Sequence, residues 1–226
     1  MKTRRTFLAL GASTLMASTA GCIGSIPSVG DEAMTFEAEA ASVAQSAVDD
    51  TGYDEQDVDD VMIERTFEAA GQRQDVIVTN WQAEYDKSVD LGELGVLTDD
   101  RVRAAVFTAL STPRVSVLDR TFNPVADMSS EELAEMVQDR YDGLDNLEHV
   151  GEETMTIAGE STTVGELEGE GTLADAGETI DLILHIAEAV ESGDDLVIGV
   201  GGYPTHLRED ERPDVFSMME AIEHDG

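Results

Sequence analysis

The stretch TIDLILHIAEA (Thr179–Ala189) decides the fold class, because its side chains alternate with a period of two. The residues on one face are Ile180, Leu182, Leu184 and Ile186, and those on the other are Asp181, Ile183, His185 and Ala187. Such alternation is typical of a β-strand with two different faces. The apolar run Leu196–Val200 follows after Glu191–Asp195, so the two runs together predict a β-hairpin.

Two more hairpins are predicted upstream of this one. They are Val61–Ala69 with Asp75–Tyr85 around Gly71, and Glu153–Ala158 with Ser161–Glu168 around Gly159. A further strand, Ala104–Leu110, stops at Ser111–Pro113, and Gly201–Pro204 is interpreted as the turn that leaves the last strand. Consecutive hairpins indicate an antiparallel sheet, because parallel strands need longer crossovers.

Three helices are predicted around these strands. Apolar side chains at helical spacing over residues 40–48 precede Gly52, which ends the segment as a C-terminal cap would. Ser129 and Glu132 form a capping box, and Pro213 is suited to start a C-terminal helix. The predicted fold class is α+β: a single curved antiparallel sheet of about six or seven strands with two or three packed helices.

Charge is the strongest compositional signal. The chain has 49 acidic and 13 basic residues, and only Lys2 and Lys87 are lysines. Residues 1–21 hold three of the bases and no acid, so the remainder carries 10 bases against 49 acids, a net charge of −39. Such a charge drives a compact state apart at ordinary ionic strength, but a Debye length of about 3 Å in molar salt screens it. The composition therefore predicts a halophilic protein and argues against nucleic acid as a partner.

The N-terminus has the three regions of an export signal. Lys2, Arg4 and Arg5 supply a positive region, and the uncharged stretch Phe7–Ala20 is too short for a membrane span of about twenty residues. Small residues then lead to Cys22, the single cysteine. With no second thiol, the domain that follows has no internal disulfide, cysteine nucleophile or thiolate metal site.

Two resemblances give this segment a meaning. Arg4 to Leu8 (RRTFL) resembles the twin-arginine export motif, and Thr19 to Cys22 (TAGC) resembles a lipobox, with Thr19 where the usual box has Leu. They imply a signal peptide over residues 1–21, a lipidated tether over 22–33 and one globular domain over 34–226. The implied location is the outer face of the cytoplasmic membrane, with a lipid on Cys22.

The whole chain resembles an uncharacterised family of haloarchaeal lipoproteins that are exported by the twin-arginine route and carry a domain of unknown function. The resemblance depends on the signal and on the phrases Thr51–Tyr53 and Asn123–Pro124. The late strands closed by a short helix also resemble the sandwich of PsbP-like accessory proteins. Neither resemblance implies a known activity.

Catalytic motifs are absent from the sequence. No GxSxG nucleophile elbow and no GxxxxGK phosphate loop is present. The histidines, at positions 149, 185, 206 and 224, do not have metal-binding spacing, and the acidic run Asp54–Asp60 lacks the glycine and final glutamate of an EF-hand. We therefore expect no metal site and no cofactor, and we interpret Asp54–Asp60 as a solvated loop.

Trp81 is the only tryptophan and shares a strand face with Tyr85. Core packing is one interpretation; the other is a binding surface formed by Trp81, Tyr85 and Tyr203. The sequence favours a non-catalytic binding or accessory module for a protein partner or a small solute. The alternative is a surface hydrolase that uses carboxylates, for which His185 or His206 would have to meet two carboxylates in a pocket.

Overall fold

The computed structural model describes residues 33–69, 72–90, 101–117, 120–121, 123–140, 143–172 and 179–225. The strands in chain order are β1 (Met34–Glu37), β2 (Ser42–Val43), β3 (Asp54–Ala69), β4 (Gln72–Asp90), β5 (Arg101–Pro113), β6 (Ser116–Val117), β7 (Arg120–Thr121), β8 (Leu144–Ile157), β9 (Glu160–Thr172), β10 (Thr179–Ala187), β11 (Val190–Ser192), β12 (Asp195–Pro204) and β13 (Ile222–Glu223). The helices are α1 (Gln45–Thr51), α2 (Ser130–Arg140) and α3 (Arg208–Glu220), with 3-10 turns at Pro124–Asp127 and Thr205–Leu207.

Within these described ranges, nine strands form one open sheet. β3, β4 and β5 pair in succession, and so do β12, β10, β9 and β8. The antiparallel pairing of β5 with β12, in which Phe107 lies opposite Gly201, joins the two groups. β1 pairs in parallel with β4, and β11 pairs with β12. The result is a mixed sheet with β3 and β8 at its edges.

The first two predicted hairpins are confirmed, and the sheet is larger than the six or seven strands predicted. The third pair, β10 with β12, is antiparallel as predicted, but β11 lies in the segment that was predicted to be its loop. Ala69 pairs with Gln72 across the first hairpin, and Ile157 pairs with Glu160 across the second. The antiparallel prediction is wrong for β1, because this strand reaches β4 without a hairpin connection and lies parallel to it. Hairpin signals are local, so they do not report such a strand.

Two segments that were interpreted as irregular are strands. The acidic run Asp54–Asp60 begins β3, where Val58 lies opposite the buried Ala83 while the acids stay exposed. The segment Gly201–Pro204 continues β12 and pairs with β10. Its glycines serve close packing: a Cβ at Gly201 would lie 2.4 Å from Cγ1 of Val215 on α3.

The Gly52 cap and the Ser129–Glu132 capping box are confirmed. The first helix is shorter than predicted, because it begins at Gln45 and Ser42–Val43 form β2. Gly52 ends α1 in the left-handed conformation (φ 74°). The capping box precedes α2, where the Ser129 N–H donates to the Glu132 carboxylate at 3.0 Å and the Glu132 N–H donates to the Ser129 hydroxyl at 3.3 Å. The prediction for Pro213 is wrong, because α3 begins five residues earlier and contains the proline. The burial of Val215, Met218 and Met219 offsets the poor fit of proline inside a helix.

The sheet has two packed faces. The inner face, which carries α3, buries Tyr85, Phe107, Ile183 and Tyr203 with Met218 and Met219. The outer face, which carries α2, buries Leu167, Leu184, Ile186 and Ile198 with Leu133 and Ala134. The alternation in β10 predicts a strand with two different faces, and this is confirmed: Ile183 is buried on the inner face and Leu184 on the outer face.

Candidate functional site

The three aromatic candidates lie in the sheet, and two of them are buried. Tyr85 and Tyr203 are each 1% exposed, whereas Trp81 is half-buried. The Tyr85 hydroxyl accepts the Val43 N–H at 2.9 Å, and the Tyr203 hydroxyl lies 2.8 Å from Nε2 of His185. Of the three, only Trp81 offers exposed surface. The export pair Arg4 and Arg5 and the lipidation residue Cys22 lie outside the described residues.

His185 is enclosed between the sheet and α3. Its side chain has no exposed surface, and its ring makes an edge contact with Phe216 at 5.1 Å between centroids. Burial, and then the charge of Arg212, lowers the pKa of His185 to about 4. Nδ1 of His185 makes no hydrogen bond within the described part of the chain. His206 is separate from it, on the exposed 3-10 turn.

A charged network fixes one side of α3 to the sheet. Nζ of Lys87, on β4, lies 2.9 Å from Oε1 of Glu211 and 2.8 Å from Oδ2 of Asp214. The Tyr53 hydroxyl is 3.3 Å from the other oxygen of Glu211, and Lys87 stands over the Tyr53 ring. Burial and the neighbouring Glu211 raise the pKa of the Tyr53 phenol. These contacts satisfy Glu211, which is 3% exposed.

Two arginines fix the other side of α3. Arg212 donates to Glu153 on β8 at 2.6 Å, and its guanidinium stacks on Phe216 at 4.4 Å. Arg208 pairs with Glu166 and Glu168 on β9. Glu153, the carboxylate whose charge acts on His185, is therefore engaged in an ion pair that holds the helix. This arrangement is suited to stability rather than to proton transfer.

A cleft of about 420 Å³ lies on the outer face of the sheet, beside the start of α2. Its hydroxyl-bearing lining residues are Ser129, Thr154, Ser161, Thr162 and Thr163. Asp127 and Glu188 also line it, and none of the described lining residues is basic. We call this region the hydroxyl cleft.

Three hydroxyls of this cleft are available to a ligand. The Ser129 hydroxyl caps α2, and the Thr162 hydroxyl donates to the Glu188 carbonyl at 2.9 Å. Within the ranges that the structure describes, the hydroxyls of Thr154, Ser161 and Thr163 make no hydrogen bond to the protein. Thr154 lies directly opposite Thr163 in the β8–β9 pairing, so their side chains are neighbours on one face.

The sequence contains one sign of the hydroxyl cleft, the run Ser161–Thr163. Hydroxyl runs are common on exposed strands, and the run alone does not indicate a site. The remaining lining comes from the 3-10 turn near Asp127 and from Glu188 after β10. Only the pairing of β8, β9 and β10 brings these segments together, which explains why the sequence did not predict them as a site.

No group of three or more His, Cys, Asp or Glu residues in the described ranges is arranged to hold a metal ion. No helix in the described part of the chain is long and apolar enough to span a membrane.

In the described part of the chain, the fold is that of a predominantly β protein whose large open sheet has helices packed on both faces. A family profile described as a domain of unknown function (DUF6517) matches residues 40–223, and the chain belongs to that family. No curated protein and no solved structure showed significant similarity to the chain.

Proposed function

We propose that this protein is a lipid-anchored binding module on the outer face of the cytoplasmic membrane of a halophilic archaeon, and that it holds a small polar solute in the hydroxyl cleft. Export in the folded state by the twin-arginine route and attachment through Cys22 place the domain at the surface. The module that we propose binds the solute without changing it chemically. The hydroxyl cleft is the observation that carries the binding part of the proposal.

The N-terminal sequence supports the export and lipid anchoring that we propose. Arg4 and Arg5 precede an uncharged stretch, and Cys22 follows small residues. The family region begins at residue 40, so these signals lie before it. A tether over residues 22–33 keeps the domain within a short distance of the lipid, which raises its effective concentration near other surface molecules.

The distribution of charge supports the proposed adaptation to concentrated salt. The acids Asp54, Glu55, Asp57, Asp59 and Asp60 are exposed along the edge strand β3. Charged side chains on an edge strand oppose pairing with another chain. Their mutual repulsion is weak only where salt shortens the Debye length. A surface of this kind is therefore suited to concentrated salt.

The chemistry of the hydroxyl cleft selects the class of solute. Hydroxyls donate and accept hydrogen bonds, and the carboxylates of Asp127 and Glu188 add negative charge nearby. A small anion is disfavoured because no described lining residue is basic and the whole chain has a net charge of −36. The ligand class is thus a neutral polyol or a small organic cation.

The test measures thermal unfolding of the globular domain (residues 34–226) in about 3 M KCl, with glucose, choline or lactate as the added probe. We expect glucose or choline to raise the melting temperature and lactate to leave it unchanged. Thr163→Val and Ser161→Ala should each weaken binding about fivefold, since one hydrogen bond contributes about 1 kcal/mol. Ser46→Ala removes an exposed hydroxyl on α1 and serves as the matched control.

Two results would contradict the solute proposal. One is the absence of any shift with the three probes in the wild-type domain. The other is a shift that persists unchanged in both cleft variants, which would place binding elsewhere. Recovery of a stoichiometric protein partner from native membranes, with no effect of the cleft variants, would replace the solute with a protein.

A further inference from the structure

The hairpin of β3 and β4 projects beyond its neighbours at the end where the chain enters the sheet. β1 begins at Met34, which lies opposite Val76, and runs parallel to β4 from there. β5 pairs with β4 only from Trp81 onward, so in the described part of the chain β4 residues 72–75 pair with β3 alone. At a rise of about 3.3 Å per residue, the hairpin extends about 13 Å past Met34.

The proposed tether reaches the domain at this same end. Residues 22–33 join the cysteine that is proposed to carry the lipid to Met34. Fully extended, they span at most about 40 Å, and as a flexible chain they have an end-to-end distance of about 20 Å. Along β3, Gln56 lies ten residues, or about 30 Å, from Thr66. A lipid on Cys22 therefore brings the hairpin end, rather than the opposite end of β3, close to the membrane.

Charge also distinguishes the two ends of β3. Residues 54–60, at the far end, contain five acids and no base, whereas residues 61–79 contain three acids and two bases. Both bases, Arg65 and Arg73, are exposed. An anionic membrane surface repels the acidic end more strongly than the hairpin end. In molar salt this repulsion acts over only about 3 Å, so apolar contacts can form once the surfaces meet.

Apolar side chains are available for such contacts on the hairpin. Met62 is 60% exposed, and the neighbouring Ile63, which points to the opposite face of the strand, is half-buried. Met34 and Phe36 of β1 are half-buried against Val76. Apolar side chains together with exposed arginines suit the boundary between lipid headgroups and acyl chains, where the apolar parts are buried and the charged ends stay in water.

We propose that this end of the domain rests on the lipid surface of the membrane that carries the anchor. The contact is made by Met34 and by residues 61–66 and 73–79, which together we call the hairpin surface. The acidic start of β3 then faces away from the membrane. This inference rests on the lipid anchor of the proposed function, and it adds which end of the domain meets the lipid.

The test uses the full lipidated chain, purified from a haloarchaeal host and reconstituted into phosphatidylglycerol vesicles in about 3 M KCl. Cys22 is the only cysteine and carries the lipid, so an introduced cysteine is the one free thiol and takes a polarity-sensitive fluorophore. Thr66→Cys puts the label on the hairpin surface, and Gln56→Cys is the matched control on the same strand. Both positions are exposed. Lipids with spin-labelled headgroups quench the fluorophore only on close approach.

We expect the label at position 66 to shift its emission to shorter wavelength and to be quenched, whereas the label at position 56 keeps the emission that it has in detergent. Arg73→Cys is a second reporter on the hairpin surface, and circular dichroism shows whether each labelled variant is folded. Flotation of the same vesicles in a density gradient reports the anchor separately. If the protein floats but the labels at positions 66 and 73 respond no more than the label at position 56, the anchor stands and the hairpin contact is overturned. If the protein does not float, the anchor and the contact both fail.

Discussion

Lys87 on β4 and Glu211 on α3 form a buried ion pair of 2.9 Å that joins the sheet to the helix on its inner face. The Glu211 side chain is 4% exposed and that of Lys87 is 24% exposed. Removal of one partner of such a pair leaves an uncompensated charge in the interior.

We expect Lys87→Met to lower the free energy of unfolding by about 3 kcal/mol, because Glu211 loses its charged partner. Urea denaturation in concentrated salt measures the change. Arg73→Met is the matched control, because Arg73 and Asp75 are 68% and 62% exposed and such a pair contributes about 0–1 kcal/mol. Equal effects of the two variants would show that the Lys87–Glu211 pair does not stabilise α3.

Gly201 is predicted to be intolerant of any side chain. A Cβ there would lie 2.4 Å from Cγ1 of Val215 and 3.3 Å from Phe107. We expect Gly201→Ala to destabilise the domain by about 1–3 kcal/mol, and Val215→Ala in the same chain to recover part of the loss. At Gly151 nothing lies within 4 Å of the added carbon, so Gly151→Ala is the control and should leave the free energy of unfolding unchanged. Thermal unfolding compares the variants.

Signals that act over a few residues predict this fold correctly, whereas contacts between distant residues leave no signal in the sequence. Gly159 and the capping box at Ser129 act within a few residues, and both are confirmed. The pairing of β5 with β12 joins residues about ninety positions apart, and no local pattern indicates it. The prediction of a turn at Gly201 is wrong because this glycine provides clearance for Val215 of α3, a contact between residues that are distant in sequence.

The hydroxyl cleft could not be predicted from the sequence for the same reason. The hydroxyl run at Ser161 was visible in the sequence, but its neighbours Asp127 and Glu188 come from distant segments. The sequence indicates which residue types are available, whereas the sheet order decides which of them meet.

His185 should make the domain sensitive to acid. Its pKa is lowered from 6.5 to about 4, chiefly by burial, so the unfolded chain binds a proton more readily than the folded one. The stability that the neutral ring contributes is complete above pH 6.5 and is lost as the pH falls toward 4. The difference corresponds to roughly 3 kcal/mol.

We expect the urea midpoint of the wild type to fall between pH 7 and pH 5, and that of a His185→Phe/Tyr203→Phe double variant to fall less. The double variant removes both partners of the 2.8 Å contact, so no unpaired hydroxyl remains. His206→Phe, at an exposed position, controls for the loss of a histidine. An unchanged acid response in the double variant would contradict the role of His185.

Salt should be required for the fold. With 49 acids against 10 bases after residue 21, electrostatic repulsion within the folded chain is strong unless it is screened. We expect circular dichroism to show the native spectrum in about 2–4 M KCl and a loss of structure on dialysis to low salt, where the Debye length rises above 10 Å. A variant with five acids of β3 changed to their amides (Asp54, Glu55, Asp57, Asp59 and Asp60) should keep its fold at lower salt. A spectrum that does not depend on salt would contradict the halophilic interpretation.

The anchor is tested by two sets of variants in a haloarchaeal host. Cys22→Ser removes the only thiol to which a lipid can be attached, so the protein should be released to the medium or retain its signal. Arg4→Lys with Arg5→Lys keeps the positive charge but not the paired guanidinium groups, so export should stop. Membrane fractionation followed by intact-mass analysis distinguishes these outcomes.

Ser28→Ala in the tether and Lys2→Arg near the arginine pair are the matched controls, and both should behave as the wild type. A Cys22→Ser protein that is correctly cleaved and still sediments with the membrane would show that something other than a lipid on Cys22 holds the domain at the surface.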